Sequence, residues 1–340
     1  MNSAGRIFRI SLYGESHGQA IGVIIDGCPA GISISIDDFS EDLKRRKAGA
    51  EGTTSRIESD EPSFLSGIYR GRTTGAPINI EFRNKNTKSE DYADFLTIPR
   101  PGHADFTATT KYEGWQDPRG SGHFSGRLTL GLVAAGVIAK KILQQFAPIH
   151  FTTTLIEAFG SINIEEAIQS AKQAGDSIGG IVEIRISNVP AGWGEPFFDA
   201  TEAVISHYLF AVPAVRGVEF GDGFKAARMR GSEHNDPFID PCGKTAKNGA
   251  GGINGGITNG NEIIIRIAVK PPSSIAQAQE TLDFSTKTMT TLEIQGRHDA
   301  CIALRSAVAL EAATACALAD LALVSRATEP WDSNITWRKL

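Results

Sequence analysis

The chain has 340 residues, 41% of them apolar and 21% charged, which is ample material for a core and excludes a disordered or fibrous protein. A net charge of -5 argues against general nucleic-acid binding, which needs a basic excess on one face, so an anionic partner must be met by locally gathered arginines. Cys28, Cys242, Cys301 and Cys316 are far apart and form no CxxC pair, which fits reduced thiols in a cytoplasmic protein and speaks against a disulfide framework or a metal site.

The amino terminus, MNSAGRIFRISLYG, lacks the apolar core and small-residue cleavage pattern of a secretory signal. Two β-branched-rich runs, Ile7 to Tyr13 and Ile21 to Ile25, predict strands, and the turn GESHG between them places His17 on an exposed loop. An imidazole between glycines suits proton transfer near neutral pH; a tight turn whose histidine caps a strand is the commoner outcome for so short a motif. Ile36, Phe39 and Leu43 recur at helical spacing, and this helix ends in Arg45, Arg46 and Lys47, by default a solvated end where cations suit the dipole. A strand from Pro77 to Phe82 follows, then a long polar stretch from Arg83 to Gly122.

Within that stretch, RPGHAD sets His103 two residues before Asp105, where a carboxylate could fix the imidazole tautomer, and no further residue nearby completes a metal set. The segment RGSGHFSGR, Arg119 to Arg127, is glycine-rich and opens a helix, whose unpaired amides favour an anion. It is neither GxGxxG, because Ser125 holds the last glycine position, nor GxxxxGK[ST], which disfavours a dinucleotide fold; a turn with Ser125 or a neighbour as helix cap is the plain alternative. From Phe124 to Phe146 the apolar positions run with helical period and predict a long buried helix. Its most apolar part, Leu128 to Ala139, falls short of the roughly 20 residues needed to cross a bilayer, so no membrane partner is expected.

The second half repeats the theme, with strands at Ile181 to Ile186 and Ile263 to Val269 and an Ala-rich helix from Ile302 to Leu323. That suggests a structural duplication, with halves about 1–150 and 151–340, inside a single domain spanning 1–340. Gly221 to Gly256 is glycine-rich without a proline spacer or charge run, and reads as an ordered loop with a function. Lys270, followed by Pro271, Pro272, Ser273 and Ser274, could hold a phosphate or simply end a strand. Asp299 stands just ahead of the last helix, a routine N-cap position, although Arg297 and His298 beside it would keep it ionised and able to act as a base.

Taken in order, these segments resemble the chorismate synthases. The similarity runs through GESHG, the Arg45–Arg46 pair, SGIYRGRTTGAPI (Ser66 to Ile78), RPGHADFTATTKY (Arg100 to Tyr112), DPRGSGHFSGRLT (Asp117 to Thr129) and VPAGWGEPFFD (Val189 to Asp199). It continues through GVEFGDGF (Gly217 to Phe224), AGGINGG (Ala250 to Gly256), KPPSSI (Lys270 to Ile275) and GRHDAC (Gly296 to Cys301).

The resemblance implies an α+β fold, a β-α-β sandwich with long helices packed between antiparallel sheets, assembled as a homotetramer. It implies an anti-1,4-elimination of phosphate from 5-enolpyruvylshikimate 3-phosphate to give chorismate, with reduced FMN required although no net redox change occurs. The flavin would be reduced on the enzyme by NADPH or by an outside reductant. By position, His17 would be the general acid, His103 would act beside the flavin, and Asp299 would assist proton removal at C6. Arg46, Arg127 and Arg297 would meet the substrate's phosphate and two carboxylates; Ser125, Ala214, Gly255, Lys270, Ser273, Ser274 and Arg297 would contact FMN, with His123 at the same flavin segment.

Two departures stand out. Where many family members read RSSARET this chain reads HFSGRLT, so His123 stands at an arginine position and Phe124 at a serine position. The loop after Lys47 also lacks an arginine many members carry, with Ala50, Glu51 and Gly52 there, and Arg56 or Lys47 is the expected substitute. These departures motivate a competing reading, a flavin- or phosphometabolite-binding protein without lyase activity.

Overall fold

A computed structural model of the protein describes residues 1–47, 60–85, 95–294 and 299–329. In the first half come β1 (Ser3–Ala4), β2 (Arg9–Gly14), β3 (Ala20–Asp26), α1 (Ser40–Arg46), β4 (Ser63–Ser66), the hairpin β5 (Ile68–Tyr69) and β6 (Arg72–Thr73), and β7 (Ile78–Arg83). Then follow α2 (Asp105–Tyr112), α3 (Thr129–Leu143), β8 (His150–Ala158), α4 (Ile164–Gln173), β9 (Gly180–Ser187), α5 (Thr201–Leu209), β10 (Val215–Phe220) and α6 (Gly231–His234). The chain closes with β11 (Ile253–Asn254), β12 (Ile257–Thr258), β13 (Ile263–Val269), β14 (Gln279–Asp283), β15 (Thr288–Leu292) and α7 (Ala303–Ala327).

Alternation of apolar side chains along β3 and β7 buries Ile21, Val23, Ile25, Ile78, Ile80 and Phe82 on one face of an antiparallel sheet ordered β1-β2-β3-β7-β4. In the second half, Val182, Ile184, Ile186, Ile263, Ile265 and Ile267 do the same in a sheet ordered β10-β13-β9-β8. Helix α3 packs on β2, β3 and β7, α7 packs on β8 and β9, and the two helices pack on each other between the sheets. This is the expected layering of long helices between antiparallel sheets, and one apolar core runs through both halves.

Close approach of α3 and α7 depends on a glycine. A Cβ at Gly136 would stand 2.4 Å from the Ala312 Cβ and 2.6 Å from its Cα, closer than atoms can pack. Gly136→Ala is therefore expected to force the helices apart and lower stability by about 1–3 kcal/mol, the usual cost of overpacking. Chemical denaturation against the parent protein measures it, and an unchanged midpoint would refute the close approach.

Helix α7 is long and apolar enough to cross a membrane by composition, yet 89% of its most apolar window is buried within the protein. It carries buried carboxylates that its neighbours satisfy. Asp320 accepts backbone N–H bonds from Arg6, Ile7 and Phe8 at 2.8, 2.8 and 2.9 Å, tying the segment that leads into β2 to the core helix. Glu311 is 2% exposed and receives Arg45 Nη1 and Nη2 at 2.9 and 2.7 Å and Lys140 Nζ at 2.5 Å. Asp42 closes the set through Arg45 at 3.0 Å and Lys140 at 2.7 Å, so α1, α3 and α7 meet at one buried ionic cluster.

The structure corrects two sequence expectations at this level. Helix α3 starts at Thr129 and not at Phe124, because Gly120, Ser121 and Gly122 adopt non-helical angles and the chain makes only short 3-10 turns until Leu128. Helix α2 interrupts the polar stretch; only Ala108 of its eight residues is buried, so it has no apolar period to betray it.

Candidate active site

Loops from both halves of the chain enclose a cavity of about 850 Å³, toward the upper part of the roughly 300–1,000 Å³ range of small-molecule sites. Its walls come from the β2–β3 turn, the end of α1, the loops before α2 and α3, the α5–β10 and β13–β14 connections, and the start of α7. Among the described residues, Arg46, Lys47, Arg100, Arg127, Lys270 and Arg305 line it against two carboxylates, Asp60 and Asp299. A protein of net charge -5 thus concentrates positive charge in one cleft, the pattern that draws an anionic small molecule.

His17 is not exposed, as the loop position had led us to expect. Its imidazole is 6% exposed and lies behind Gly120, while Gly120 and Ser16 form the cavity wall in front of it. The fit is tight: a Cβ at Gly120, whose φ is +58°, would stand 2.5 Å from His17 Cδ2 and 2.6 Å from Nε2. Only glycine allows that loop to fold over the ring.

Arg46 is buried and not part of a solvated helix end. Its Nη2 donates to the carbonyls of Gly126 and Arg127 at 3.1 and 3.2 Å and its Nε to Thr129 Oγ1 at 3.3 Å. Arg127 donates through Nε to Asn84 at 2.7 Å and through Nη1 to Asp60 at 3.0 Å, and Asp60 also stands 3.6 Å from Arg46. One buried carboxylate therefore holds both guanidinium groups at the rim.

His103 lines the cavity with Nδ1 2.6 Å from Asp105 Oδ1. Burial works to raise the pKa of Asp105, but hydrogen bonds from Arg100 and His103, and their charge, outweigh it and hold the carboxyl far below the usual carboxylate range. An ionised carboxylate only accepts, so Nδ1 carries the proton toward Asp105 and Nε2 is the ring nitrogen left for chemistry. Arg100 Nη2 also lies 3.0 Å from Nδ1, but a guanidinium only donates, so the two donors compete there and the shorter contact to the carboxylate decides the tautomer. Arg100 has other acceptors in Asp105, Ser121 and Ser274, and its guanidinium lies over the Phe95 ring.

Lys270 Nζ donates to the Gly102 carbonyl at 2.6 Å and to Ser273 Oγ at 3.1 Å, and Ser273 Oγ donates to the same carbonyl at 2.8 Å. Burial, then the charge of Arg216, lowers the Lys270 pKa from its ordinary value. Ala214 accepts the Lys270 backbone N–H at 2.9 Å and lines the cavity, as does Ser274. Ser125 caps the turn before α3, its Oγ accepting the Arg127 N–H at 3.3 Å.

Asp299 does not cap α7. The helix begins at Ala303 after Ile302, and Asp299 instead receives Arg305 Nη1 at 3.0 and 3.3 Å. Arg305 Nε also donates to the Arg46 carbonyl at 3.3 Å, joining the start of α7 to the end of α1. Gly255 lies in the β11–β12 turn and is not among the cavity-lining residues, so the structure does not bring it to the expected cofactor contacts. Arg297 and His298, like Ala50, Glu51, Gly52 and Arg56, lie outside the described residues; Lys47 lines the cavity.

Sequence reasoning passed over Arg100, Asp60 and Arg305. Arg100 sat inside a motif read only for its histidine and aspartate. Arg305 had a usable signal, a lone arginine early in an otherwise Ala-rich buried helix; Asp60 had none, since nothing local ties it to Arg46 or Arg127.

A family profile described as "Chorismate synthase" matches residues 8–323. A chorismate synthase of Chitinophaga pinensis is 55% identical over 326 residues, covering 96% of this chain and 98% of that one. One of Pyrococcus abyssi is 44% identical over 351 residues, covering 96% and 98%. A crystal structure of a chorismate synthase superposes with a TM-score of 0.71 at 25% identity, covering 94% of this chain and 93% of that one.

Proposed function

Because the chain belongs to the chorismate synthase family of carbon–oxygen lyases of the shikimate pathway, we propose that it eliminates phosphate from 5-enolpyruvylshikimate 3-phosphate to give chorismate with reduced FMN bound. The observation that carries this reading is the cation-rich cavity, which holds His103 and Asp299 and has His17 one layer behind its wall. The substrate brings a phosphate and two carboxylates, and a water-poor cavity must offset that charge with fixed cations.

The residues present fit a flavin mononucleotide. The volume admits two small molecules side by side, and Lys270, Ser273 and Ser274 offer an ammonium and two hydroxyls to a phosphate group. Ser125 and Ala214 stand at the same cavity. When bound, reduced FMN supplies transient electron density to a reaction without net redox change. Arg46, Arg127 and, by position, Arg297 hold the anionic substrate, and Asp60 fixes the first two in place.

His17 donates a proton as phosphate departs, His103 offers Nε2 with its tautomer set by Asp105, and Asp299 takes part in removing the C6 proton. Arg305 holds the Asp299 carboxylate in the cavity. We further propose a cytoplasmic homotetramer of one functional unit spanning residues 1–340. Trp115, Ile162, Phe197 and Phe198 stand largely exposed on one protomer, which suits burial against other copies.

Purified protein supplied anaerobically with chemically reduced FMN and 5-enolpyruvylshikimate 3-phosphate should release phosphate and chorismate in equal amounts. Tight FMN binding with no product would favour the competing reading, a flavin-binding protein without the lyase.

A further inference from the structure

His123 lines the cavity, but its polar atoms are spent elsewhere. Nδ1 lies 3.2 Å from the Gly14 carbonyl and Nε2 lies 2.9 Å from the Asn2 side-chain oxygen. A carbonyl only accepts, so Nδ1 carries the proton. The Asn2 amide can turn either its oxygen or its NH2 to Nε2, so the second bond survives in both protonation states of the ring. With both nitrogens taken, the side chain has no polar atom left for a ligand.

The same two stretches of chain touch at two more points. The Ser16 N–H donates to the Gly122 carbonyl at 3.1 Å, and Gly120 folds directly over the His17 ring. Contacts from residues 120, 122 and 123 thus reach residues 17, 16 and 14 in turn, pairing the loop before α3 with the end of β2 and the turn that carries the imidazole. Asn2 is itself anchored: its carbonyl accepts the Leu12 N–H at 2.9 Å, and the adjacent Ser3 pairs with Ser11.

We propose that His123 is a positioning residue, which clamps the Gly120 loop to the GESHG turn and the amino-terminal strand and so sets where His17 sits behind the cavity wall. The clamp works through loops and not through contact with the cofactor. As a contribution to catalysis it rests on His17 acting as the general acid.

The test compares His123→Ala, His123→Gln and Asn2→Ala in the full-length protein. His123→Ala should lower kcat about 10-fold or more, since small displacements of a reacting group are costly, while KM for 5-enolpyruvylshikimate 3-phosphate and Kd for FMN by fluorescence titration stay within about 2-fold. His123→Gln keeps a donor for the Gly14 carbonyl and should recover most of the rate. Asn2→Ala, at the exposed position just before β1, should show a smaller loss of the same kind and serves as a second handle if His123→Ala folds poorly.

Amide hydrogen exchange at Ser16 should quicken by about 10-fold in His123→Ala, as one anchoring contact is lost. A 10-fold loss of FMN affinity at unchanged kcat would make His123 a cofactor contact and overturn the proposal, as would unchanged Ser16 exchange. Exchange is read on the protein without substrate, so a parent protein that makes no chorismate would sink the assigned reaction and leave the clamp to be judged by Ser16 alone.

Discussion

His17→Ala is expected to reduce turnover by about 10²–10⁴-fold, the usual contribution of a placed proton donor, while flavin affinity and the folded state remain. The expectation rests on where the ring lies. It is buried behind Gly120 and is not among the residues that line the cavity with Lys270, Ser273 and Ser274 at the proposed phosphate contacts, so its removal should take a proton donor and leave the cofactor contacts. Steady-state kinetics with reduced FMN, beside an FMN titration of the same variant, separates the two effects. A variant within about 3-fold of the parent rate would remove His17 from the chemistry, and the source of the proton would have to be sought among the other cavity residues.

Glu311→Ala should have the largest effect on stability, a loss of about 3–5 kcal/mol, because removing one member of a buried ionic set leaves its partners uncompensated. Arg45 and Lys140 both lose their deepest acceptor and, among the described residues, are left with Asp42. Guanidinium denaturation reads the loss, and a cost under about 1 kcal/mol would mean that the cluster is solvated and not buried.

The same carboxylate gives a pH signature. Burial pushes the Glu311 pKa up, but the Arg45 hydrogen bonds and the charge and hydrogen bond of Lys140 more than offset it and hold the group down at about 2. A carboxyl whose folded value lies below its unfolded value of 4.5 adds stability that is full above 4.5 and is lost as pH falls through about 2. Parent stability should therefore slope downward between those limits more steeply than that of Glu311→Gln. Equal slopes would contradict the depressed value.

Much of the fold was legible. The β-branched runs around GESHG, the strand at Pro77 to Phe82, and the strands at Ile181 to Ile186 and Ile263 to Val269 all appear, because burial of one sheet face writes a period of two into the chain. The two Ala-rich helices appear for the matching reason, although α3 starts late where glycines break the helix. Strand β8, His150 to Ala158, went unread because its Thr-rich run carries little apolar contrast.

The candidate site was legible as an inventory. Histidines, arginines, the lysine and the serines of the quoted segments could be named, and Asp105 beside His103 could be paired, since two residues of separation nearly guarantee proximity. Pairing across the chain could not be read. Asp299 looked like a helix cap and proved to be the partner of Arg305, and Arg45 looked like a solvated helix end and proved to be locked to Glu311, 266 residues away.

By itself, then, the sequence determined the family, the secondary elements and the stock of chemical groups, because local periods and motif order are properties of neighbouring residues. Tertiary structure alone decided that Gly120 covers His17, that Asp60 joins Arg46 to Arg127, and that His123 spends both nitrogens on Gly14 and Asn2. Those contacts follow from how closely α3 and α7 pack between the sheets and from the loops that this packing brings together, and such distances are written in no local pattern.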